Sequence, residues 1–432
     1  MFGGMRTSMK SHCTSFPLDS SAIIHLAVRK KGYTNSFRLC AELSDTVCPR
    51  TLQAAADVVA PRFPTIVAGI QRGMFQYTVV AATEPPKVCL EQEYLADMPL
   101  DMIERCAIRI LYYGNRIAVE IFHSLTDGYG GQVFFNALIA EYLCQKGLIS
   151  TETANSIQRI NPHDAEYTAD DYLTYAETQT APLNHRKVYR LPGKLNLRKP
   201  TRIVTGIYDT RELVETAHYF GVSLTVFLTA VMAEAILEMR NHHADPKMSA
   251  QPLQIMIPVN LRKRFPSKTL RNFSLYALPC IMPIHQEMPF EKLIDSIVVQ
   301  LNEQLSKNHL ATMISTNVTL QKLPLFRFLS LSVKTRLLRI GFHFCGERNS
   351  CLSLSNLGEI TCPPELRKYV HHIDFSLTPR RNAPYNCGIA SFNGKLAISF
   401  SKKGDEKGLE WYFFHRLAEL GYHSEMELEN CS

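Results

Sequence analysis

The sequence predicts a mixed α/β fold, α+β-like in its order of elements, with two lobes that each carry a largely antiparallel sheet flanked by helices. Strand-like runs alternate with amphipathic helical runs along both halves of the chain. Tight turns at Gly114-Asn115 and Asn393-Gly394 join neighbouring strand-like runs into hairpins. At 432 residues the chain is also long for a single hydrophobic core.

The first half supplies the elements of one lobe. Strands are predicted at 35–43 and 73–80, and residues 106–123 form a hairpin. A helix at 48–63 has Pro49 in its first turn, where proline is well tolerated. A further helix at 131–147 ends at Gly147, since glycine commonly terminates helices in the left-handed conformation.

The second half repeats the mixed pattern. An apolar helix begins after Ser223, a favourable N-cap residue, and its all-round hydrophobicity indicates a central core helix. We expect an N-terminal lobe at 1–165, a polar linker or excursion at 166–200 and a C-terminal lobe at 201–432. Strands are predicted at 201–210, 251–265, 272–282 and 350–360, a hairpin at 387–402, and helices at 211–221, 223–241, 290–308 and 408–421.

Composition narrows the function classes. Apolar residues make up 46% and charged residues 20%, as in ordinary globular proteins. The net charge of +7 is too diffuse to indicate nucleic-acid binding. No uncharged apolar run reaches the roughly 18 residues of a transmembrane helix, and the N-terminus lacks a signal-peptide core. The 12 cysteines form no CxxC pair, so we expect reduced thiols in a cytoplasmic protein.

The segment HSLTDG, residues 123–128, is the strongest candidate for chemistry. His123 follows the apolar strand IAVEIF, and a rigid strand end suits a general base that needs a fixed position. Asp127 lies four residues later, and Gly128, Gly130 and Gly131 permit positive φ or close backbone approach. From the spacing alone, a simple strand-to-helix corner is an equally good interpretation.

The sequence motifs typical of metal sites, serine hydrolases and nucleotide-binding sites are missing. A metal site would need a third ligand beside His371 and His372, and no HExxH occurs, so no metal is expected. The sequence contains no Gly-x-Ser-x-Gly elbow, P-loop or GxGxxG.

The HSLTDG segment resembles the His-x-x-x-Asp-Gly signature of the acyl-CoA-dependent acyltransferase superfamily. This superfamily includes chloramphenicol acetyltransferase, condensation domains of peptide synthetases, plant BAHD enzymes and alcohol acetyltransferases. Further matches follow in order from about residue 16 to the C-terminal helix, and they are closest to bacterial alcohol acetyltransferase-like proteins. They comprise FPLDSSAIIHLAVRKKGYTNSFRLCAEL, AHYFGVSLTVFLTAVMAEAI, IPVNLRKRFPSKTLRNFS and LSLSNLGEI.

The resemblance implies two chloramphenicol acetyltransferase-like lobes with a tunnel between them. Acyl-CoA would enter from one face as co-substrate, a small alcohol from the other, and no cofactor would be bound permanently. His123 would be the general base that moves an acyl group, acetyl in the simplest case, from CoA to the hydroxyl. Asp127 would pair with Arg262 in a structural role, and Gly128 would allow the tight backbone course.

Further site residues are expected from their motif positions. Donors to the reaction oxyanion would come from among Asn272, Ser274, Ser355 and Asn356, although each one taken alone is somewhat better explained as an ordinary polar residue of a turn or strand. Lys263, Arg264 and Lys268 are candidates for contacts with the CoA phosphates.

The sequence departs from the family motifs at two places, and two alternative functions stay open. Phe122 replaces the first of the tandem histidines found in many relatives, and the plant-type Asp-Phe-Gly-Trp-Gly motif is missing. The protein could instead be a non-catalytic two-lobe binding module. It could also be a stand-alone condensation-type enzyme that forms amides or esters from the thioester of an acyl carrier protein.

Overall fold

A computed structural model describes residues 14–30, 33–157, 160–161, 164–180, 187–192, 199–242, 250–282, 288–322, 328–345, 349–380, 383–403 and 408–429. Within these residues the strands are β1 Ser15–Pro17, β2 Ser36–Leu43, β3 Ala68–Arg72, β4 Tyr77–Ala81, β5 Val88–Leu90, β6 Ile108–Tyr113, β7 Arg116–Phe122, β8 Arg202–Asp209, β9 Leu253–Asn260, β10 Ser274–Ala277, β11 Cys280–Ile281, β12 Leu352–Glu359, β13 Val370–Leu377, β14 Tyr385–Phe392, β15 Lys395–Lys402 and β16 Glu425–Glu429. The helices are α1 Ala22–Val28, α2 Pro49–Val59, α3 Leu100–Arg105, α4 Gly128–Gln145, α5 Thr151–Ser156, α6 Ala165–Thr168, α7 Asp171–Thr174, α8 Thr210–Tyr219, α9 Leu224–His242, α10 Phe290–Gln304, α11 Lys307–Lys322, α12 Leu331–Cys345 and α13 Leu409–Glu419.

Three sheets organise these elements. The first lobe contains a five-stranded sheet in the order β13-β2-β7-β6-β5 and a small sheet in the order β1-β4-β3. The second lobe contains an eight-stranded sheet in the order β10-β9-β12-β14-β15-β8-β16, with β11 also paired to β9. Most neighbouring strands are antiparallel, whereas β12 runs parallel to both β9 and β14, and β5 runs parallel to β6. The predicted mixed fold with two largely antiparallel lobes is confirmed.

The predicted elements of the first half are present. The hairpin β6–β7 pairs in register from Ile108–Ile121 to Tyr113–Arg116. Helix α4 begins at Gly128, three residues before its predicted start, because the Asp127 side chain accepts a hydrogen bond from the Gly130 backbone and caps the helix. Gly147 follows α4 with φ of 72°, as its predicted terminating role requires.

The second half differs from the prediction in detail. Helix α9 has buried residues on all sides, and Val226 N donates to Ser223 Oγ at 3.4 Å. The strand predicted at 272–282 is divided into β10 and β11, with Pro279 between them. Proline has no N–H to donate to the ladder, which accounts for the interruption. Helices α1, α3, α5, α6, α7, α11 and α12 were not predicted, and α1 carries part of the site described below.

One strand crosses between the predicted lobes. Strand β13, Val370–Leu377, lies at the edge of the first sheet and pairs with β2 along almost its whole length. Its residues Ile373 and Phe375 join the hydrophobic core of the first lobe. A division of the chain at residues 165 and 201 therefore does not coincide with the division between sheets.

The predicted linker is partly structured. Residues 181–186 and 193–198 of the linker lie outside the described residues. Before them, α6 and α7 pack onto the second lobe, where Tyr172 is 1% exposed and its hydroxyl receives a hydrogen bond from Ser274 N at 2.9 Å. Part of the predicted linker thus packs against the second lobe.

The length and hydrophobicity of the helices among the described residues determine whether any of them could span a membrane. No individual helix there is both long and apolar enough to cross a bilayer; α8 and α9 reach that mark only jointly, and they meet at an angle of 86°.

Candidate active site

A cavity of about 830 Å³ lies between the two lobes. Its wall includes His123 at the end of β7, Tyr129 from α4, Thr225 from α9, Ser355 from β12 and Phe375 from β13. The residues that line it come from both halves of the chain, so the cavity exists only when the lobes are assembled.

The turn after β7 is held in place by hydrogen bonds to both lobes. Ser124 Oγ donates to Ala22 O of α1 at 3.0 Å, and Thr126 Oγ1 donates to Leu270 O at 2.6 Å. Both side chains are buried, where a hydrogen bond is costly to leave unmade. The bonds fix the backbone on either side of Leu125 and therefore fix the direction in which His123 projects into the cavity.

The imidazole of His123 is oriented by a buried amide. Its Nδ1 lies 3.2 Å from Asn272 Oδ1, and Asn272 Nδ2 donates to Asp19 Oδ2 at 3.1 Å. A carboxylate only accepts, so the Asp19 contact fixes which end of the Asn272 amide is oxygen. That oxygen accepts in turn, which places the His123 proton on Nδ1 and leaves the lone pair on Nε2.

Asp127 and Arg262 form a buried ion pair. Arg262 Nη1 donates to Asp127 Oδ2 at 2.7 Å, and both side chains are nearly buried. Arg262 also donates to the carbonyl oxygens of Thr269 at 2.9 Å and Arg271 at 2.6 Å, while Phe273 N donates to Asp127 Oδ2 at 2.8 Å. The pair therefore ties the N-terminus of α4 to the 261–273 segment of the second lobe.

No protein-family profile and no curated protein sequence matches this chain. Solved structures do match it along nearly its whole length. TRI101 from F. sporotrichioides, solved with coenzyme A and T-2, superposes with a TM-score of 0.60 at 11% identity, covering 95% of this chain and 99% of that chain. The TRI3 trichothecene 15-O-acetyltransferase from Fusarium sporotrichioides gives a TM-score of 0.58 at 11% identity, covering 94% of each chain. The first condensation domain of the calcium-dependent antibiotic synthetase gives 0.56 at 13% identity, covering 96% of this chain and 99% of that domain.

The protein has the chloramphenicol acetyltransferase-like fold. Its two lobes of mixed α/β structure have the architecture seen in these acetyltransferases and condensation domains.

Two of the four oxyanion candidates have their amides engaged elsewhere. Asn272 is bonded at both ends, as described above, and is 1% exposed. Asn356 Nδ2 donates to Thr225 Oγ1 at 3.1 Å, and its Oδ1 accepts from Gly358 N at 2.8 Å. Ser274 and Ser355 also line the cavity and stay candidates for donors to an oxyanion.

The three cation candidates separate into two groups. Lys263 and Arg264 line the cavity and are exposed, as expected at an entrance. Lys268 does not line it; its ammonium pairs with Glu166 Oε2 at 2.7 Å on the surface. Arg380, which the sequence analysis did not select, also lines the cavity. The phosphate contact stays a prediction; of the three residues selected for it, Lys263 and Arg264 line the cavity and Lys268 does not.

Glycine is required in the His-x-x-x-Asp-Gly turn for close approach rather than for positive φ. None of Gly128, Gly130 and Gly131 has a positive φ, contrary to one of the two expected reasons for their presence. A Cβ on Gly130 would lie 2.2 Å from Leu270 O and 2.2 Å from Thr126 Oγ1. The backbone of Gly130 therefore approaches the Leu270 carbonyl too closely to leave room for a side chain.

Replacing Gly130 with alanine should destabilise the protein by about 1–3 kcal/mol, because a backbone carbonyl has to move to admit the methyl group. Thermal unfolding would show this as a lower Tm. The matched control is Gly128→Ala, whose Cβ would meet Leu357 Cδ2 at 2.6 Å, the end of a side chain that can rotate. Equal decreases in Tm for the two variants would contradict the conclusion that Gly130, and not Gly128, is the position with no room for a side chain.

Two residues close to His123 were not predicted. Asp19 is buried, accepts from Asn272 and also accepts from Ala22 N at the start of α1 at 2.8 Å. His25 of α1 lines the cavity next to His123. The only signal in the sequence was a polar residue inside the apolar run AIIHLAV, which is too short to identify as a helix from its periodicity. Among the described residues, no group of three or more His, Cys, Asp or Glu side chains is arranged to hold a metal ion.

Proposed function

We propose that this protein is an acyltransferase that moves an acyl group from a thioester, with acetyl-CoA as the simplest donor, to an alcohol hydroxyl. The observation that carries the proposal is the state of His123. Its ring lines the interlobe cavity, and its Nδ1 is committed to Asn272, so that Nε2 is available as a base. No permanently bound cofactor is part of the proposal.

The reaction needs one proton carrier. His123 Nε2 takes the proton from the acceptor hydroxyl as its oxygen attacks the thioester carbonyl carbon. The tetrahedral oxyanion then collapses, the C–S bond breaks, and the imidazolium returns the proton to the leaving thiolate. Both substrates are held in one cavity, so proximity replaces a covalent acyl-enzyme. In this scheme Asp127, Arg262 and Gly128 hold the turn, while Ser274 or Ser355 donates to the oxyanion.

The charge of the cavity favours an alcohol over an amine acceptor. Of the described residues that line the cavity, Asp127 is the one carboxylate, and it is paired with Arg262. An ammonium group entering this cavity would have no free counter-charge, and desolvating it would be expensive. Cations at Lys263, Arg264 and Arg380 instead suit the phosphates of CoA.

The second candidate is a condensation-type enzyme that takes its acyl group from a carrier-protein thioester. The structural likeness to condensation domains favours it. A carrier-bound thioester would use the same base and the same proton path, so the two candidates differ in donor and acceptor. Comparing acetyl-CoA with an acylated carrier protein, and alcohols with amines, separates them.

Replacing His123 with alanine should reduce acyl transfer by about 10²–10⁴-fold, the usual contribution of a general base. CoA release from acetyl-CoA and an alcohol panel is followed with a thiol reagent. His371→Ala is the matched control, because His371 is an exposed histidine on β13 that does not line the cavity. Equal rates for wild type and His123→Ala would remove His123 from the mechanism. Absence of acceptor-dependent release from wild type, with either donor, would favour a non-catalytic binding module.

A further inference from the structure

A second histidine is stacked on the proposed base. His25, on α1, has its ring centroid 4.4 Å from that of His123, and the two ring planes differ by only 18°. Both rings line the interlobe cavity. Asp19 connects the two, because it caps the N-terminus of α1 and also holds the amide of Asn272. The stacked arrangement is therefore built into the fold.

Hydrogen bonds place the two rings in opposite tautomers. Asn35 Nδ2, which can only donate, lies 2.6 Å from His25 Nδ1. His25 Nδ1 must accept, so the ring proton is on Nε2. In His123 the proton is on Nδ1, because Asn272 Oδ1 can only accept. One ring thus offers a lone pair at Nε2 and its neighbour offers an N–H at Nε2.

His25 is kept neutral by its surroundings. Burial, with further contributions from His123 and Arg380, holds the pKa of His25 well below its ordinary value. An imidazolium at His25 would repel the positive charge that forms on His123 during proton transfer. A neutral ring accommodates that charge and still has an N–H to donate.

We propose that His25 is a second catalytic residue, whose Nε2–H donates a hydrogen bond to the thioester carbonyl oxygen as that oxygen becomes negative. This inference rests on the proposed acyl transfer. It is supported by the position of His25 beside the base, by its tautomer, and by the engagement of the Asn272 and Asn356 amides in other bonds. The donor is set in place before the reaction begins, which is what makes such a contact effective.

Two substitutions of His25 distinguish its role as a hydrogen-bond donor from its packing against the His123 ring. His25→Phe keeps a flat ring against His123 but has no N–H, and it should lower kcat by about 10²–10³-fold, the usual effect of losing one oxyanion donor. KM should change little, since the contact strengthens only in the transition state. His25→Gln restores a side-chain N–H donor and should recover at least about tenfold of the lost kcat. The decreases in kcat of Ser274→Ala and Ser355→Ala measure how much the two serine hydroxyls contribute as oxyanion donors.

The result that overturns the proposal is a His25→Phe variant with the kcat of wild type, or a His25→Gln variant no faster than His25→Phe. A test without turnover uses the wild-type protein labelled with ¹⁵N-histidine, with the His25 signals assigned from the His25→Phe spectrum. Nitrogen shifts of a neutral, Nε2-protonated ring from pH 6 to 8 are expected. An Nδ1-protonated or cationic ring would overturn the inference even if acyl transfer is observed. If the expected tautomer is found but no acyl transfer occurs, the proposed function fails, and the catalytic role of His25 with it.

Discussion

Replacing Asp127 with asparagine should lower the free energy of unfolding by about 3–5 kcal/mol, because it leaves the Arg262 guanidinium buried without its counter-charge. The two side chains are 5% and 6% exposed, and their closest atoms are 2.7 Å apart. Asparagine has nearly the same shape as aspartate, so the change removes charge with little change in volume. Chemical denaturation followed by circular dichroism measures the loss.

The same substitution should also reduce acyl transfer, because Asp127 caps α4 and connects it to Phe273, the neighbour of the amide that orients His123. A double variant with Arg262→Met should lose less stability than the sum of the two single variants, since no unpaired charge is left buried. The surface pair of Lys268 and Glu166 is the control, and Glu166→Gln should leave the Tm unchanged. Strictly additive losses would mean that Asp127 and Arg262 are not coupled.

Replacing Arg38 with methionine should also lower the free energy of unfolding by about 3–5 kcal/mol. The Arg38 side chain is fully buried; Nη2 lies 2.9 Å from Glu91 Oε2 and Nη1 lies 3.3 Å from Asp374 Oδ1. Its guanidinium carbon also stands 5.0 Å from the Tyr94 ring centroid. Methionine fills part of the space, but the two carboxylates on either side then face each other without the cation between them.

The loss of stability in the Arg38→Met variant should depend on pH. Burial raises the pKa of Glu120 in the same cluster, and Arg109 and Arg38 oppose that rise. Removing Arg38 raises this pKa further. A group with a raised folded-state pKa favours folding below its unfolded pKa, and this stability is lost as the pH rises through the folded value. The deficit of the variant should therefore shrink as the pH is lowered. Arg211→Met, which breaks an exposed pair with Glu215, should show neither effect; a pH-independent deficit in Arg38→Met would contradict the explanation.

The fold could be predicted where local pattern and tertiary structure agree. The hairpin β6–β7 and the helix α9 have strong local signals: a glycine-asparagine turn in one and nearly continuous apolar residues in the other. The parallel pairing of β12 with β9 and β14, and the placement of β13 against β2, depend on contacts far apart in the sequence. Residue periodicity carries no information about such partners.

The candidate site likewise contains residues with a local sequence signal and residues that only distant contacts bring together. His123 stands out because a histidine at the end of an apolar strand is followed by aspartate and glycine, and Arg262 was selected through a resemblance. The roles of Asp19 and Asn272 become visible only when α1 and the 261–273 segment meet, since the two residues are 253 positions apart. His25 was missed for the same reason. Short helices have weak periodicity, and a single histidine within one has no distinguishing neighbours.

The position of β13 has a consequence for synthesis of the chain on the ribosome. Strand β2 has β7 on one side and β13 on the other, so its second edge has no native neighbour until residue 377 has been translated. Roughly seven-eighths of the polypeptide must therefore be made before the sheet that holds His123 is complete. During that interval the nascent protein exposes an unpaired strand edge, the kind of surface that chaperones bind and that promotes aggregation.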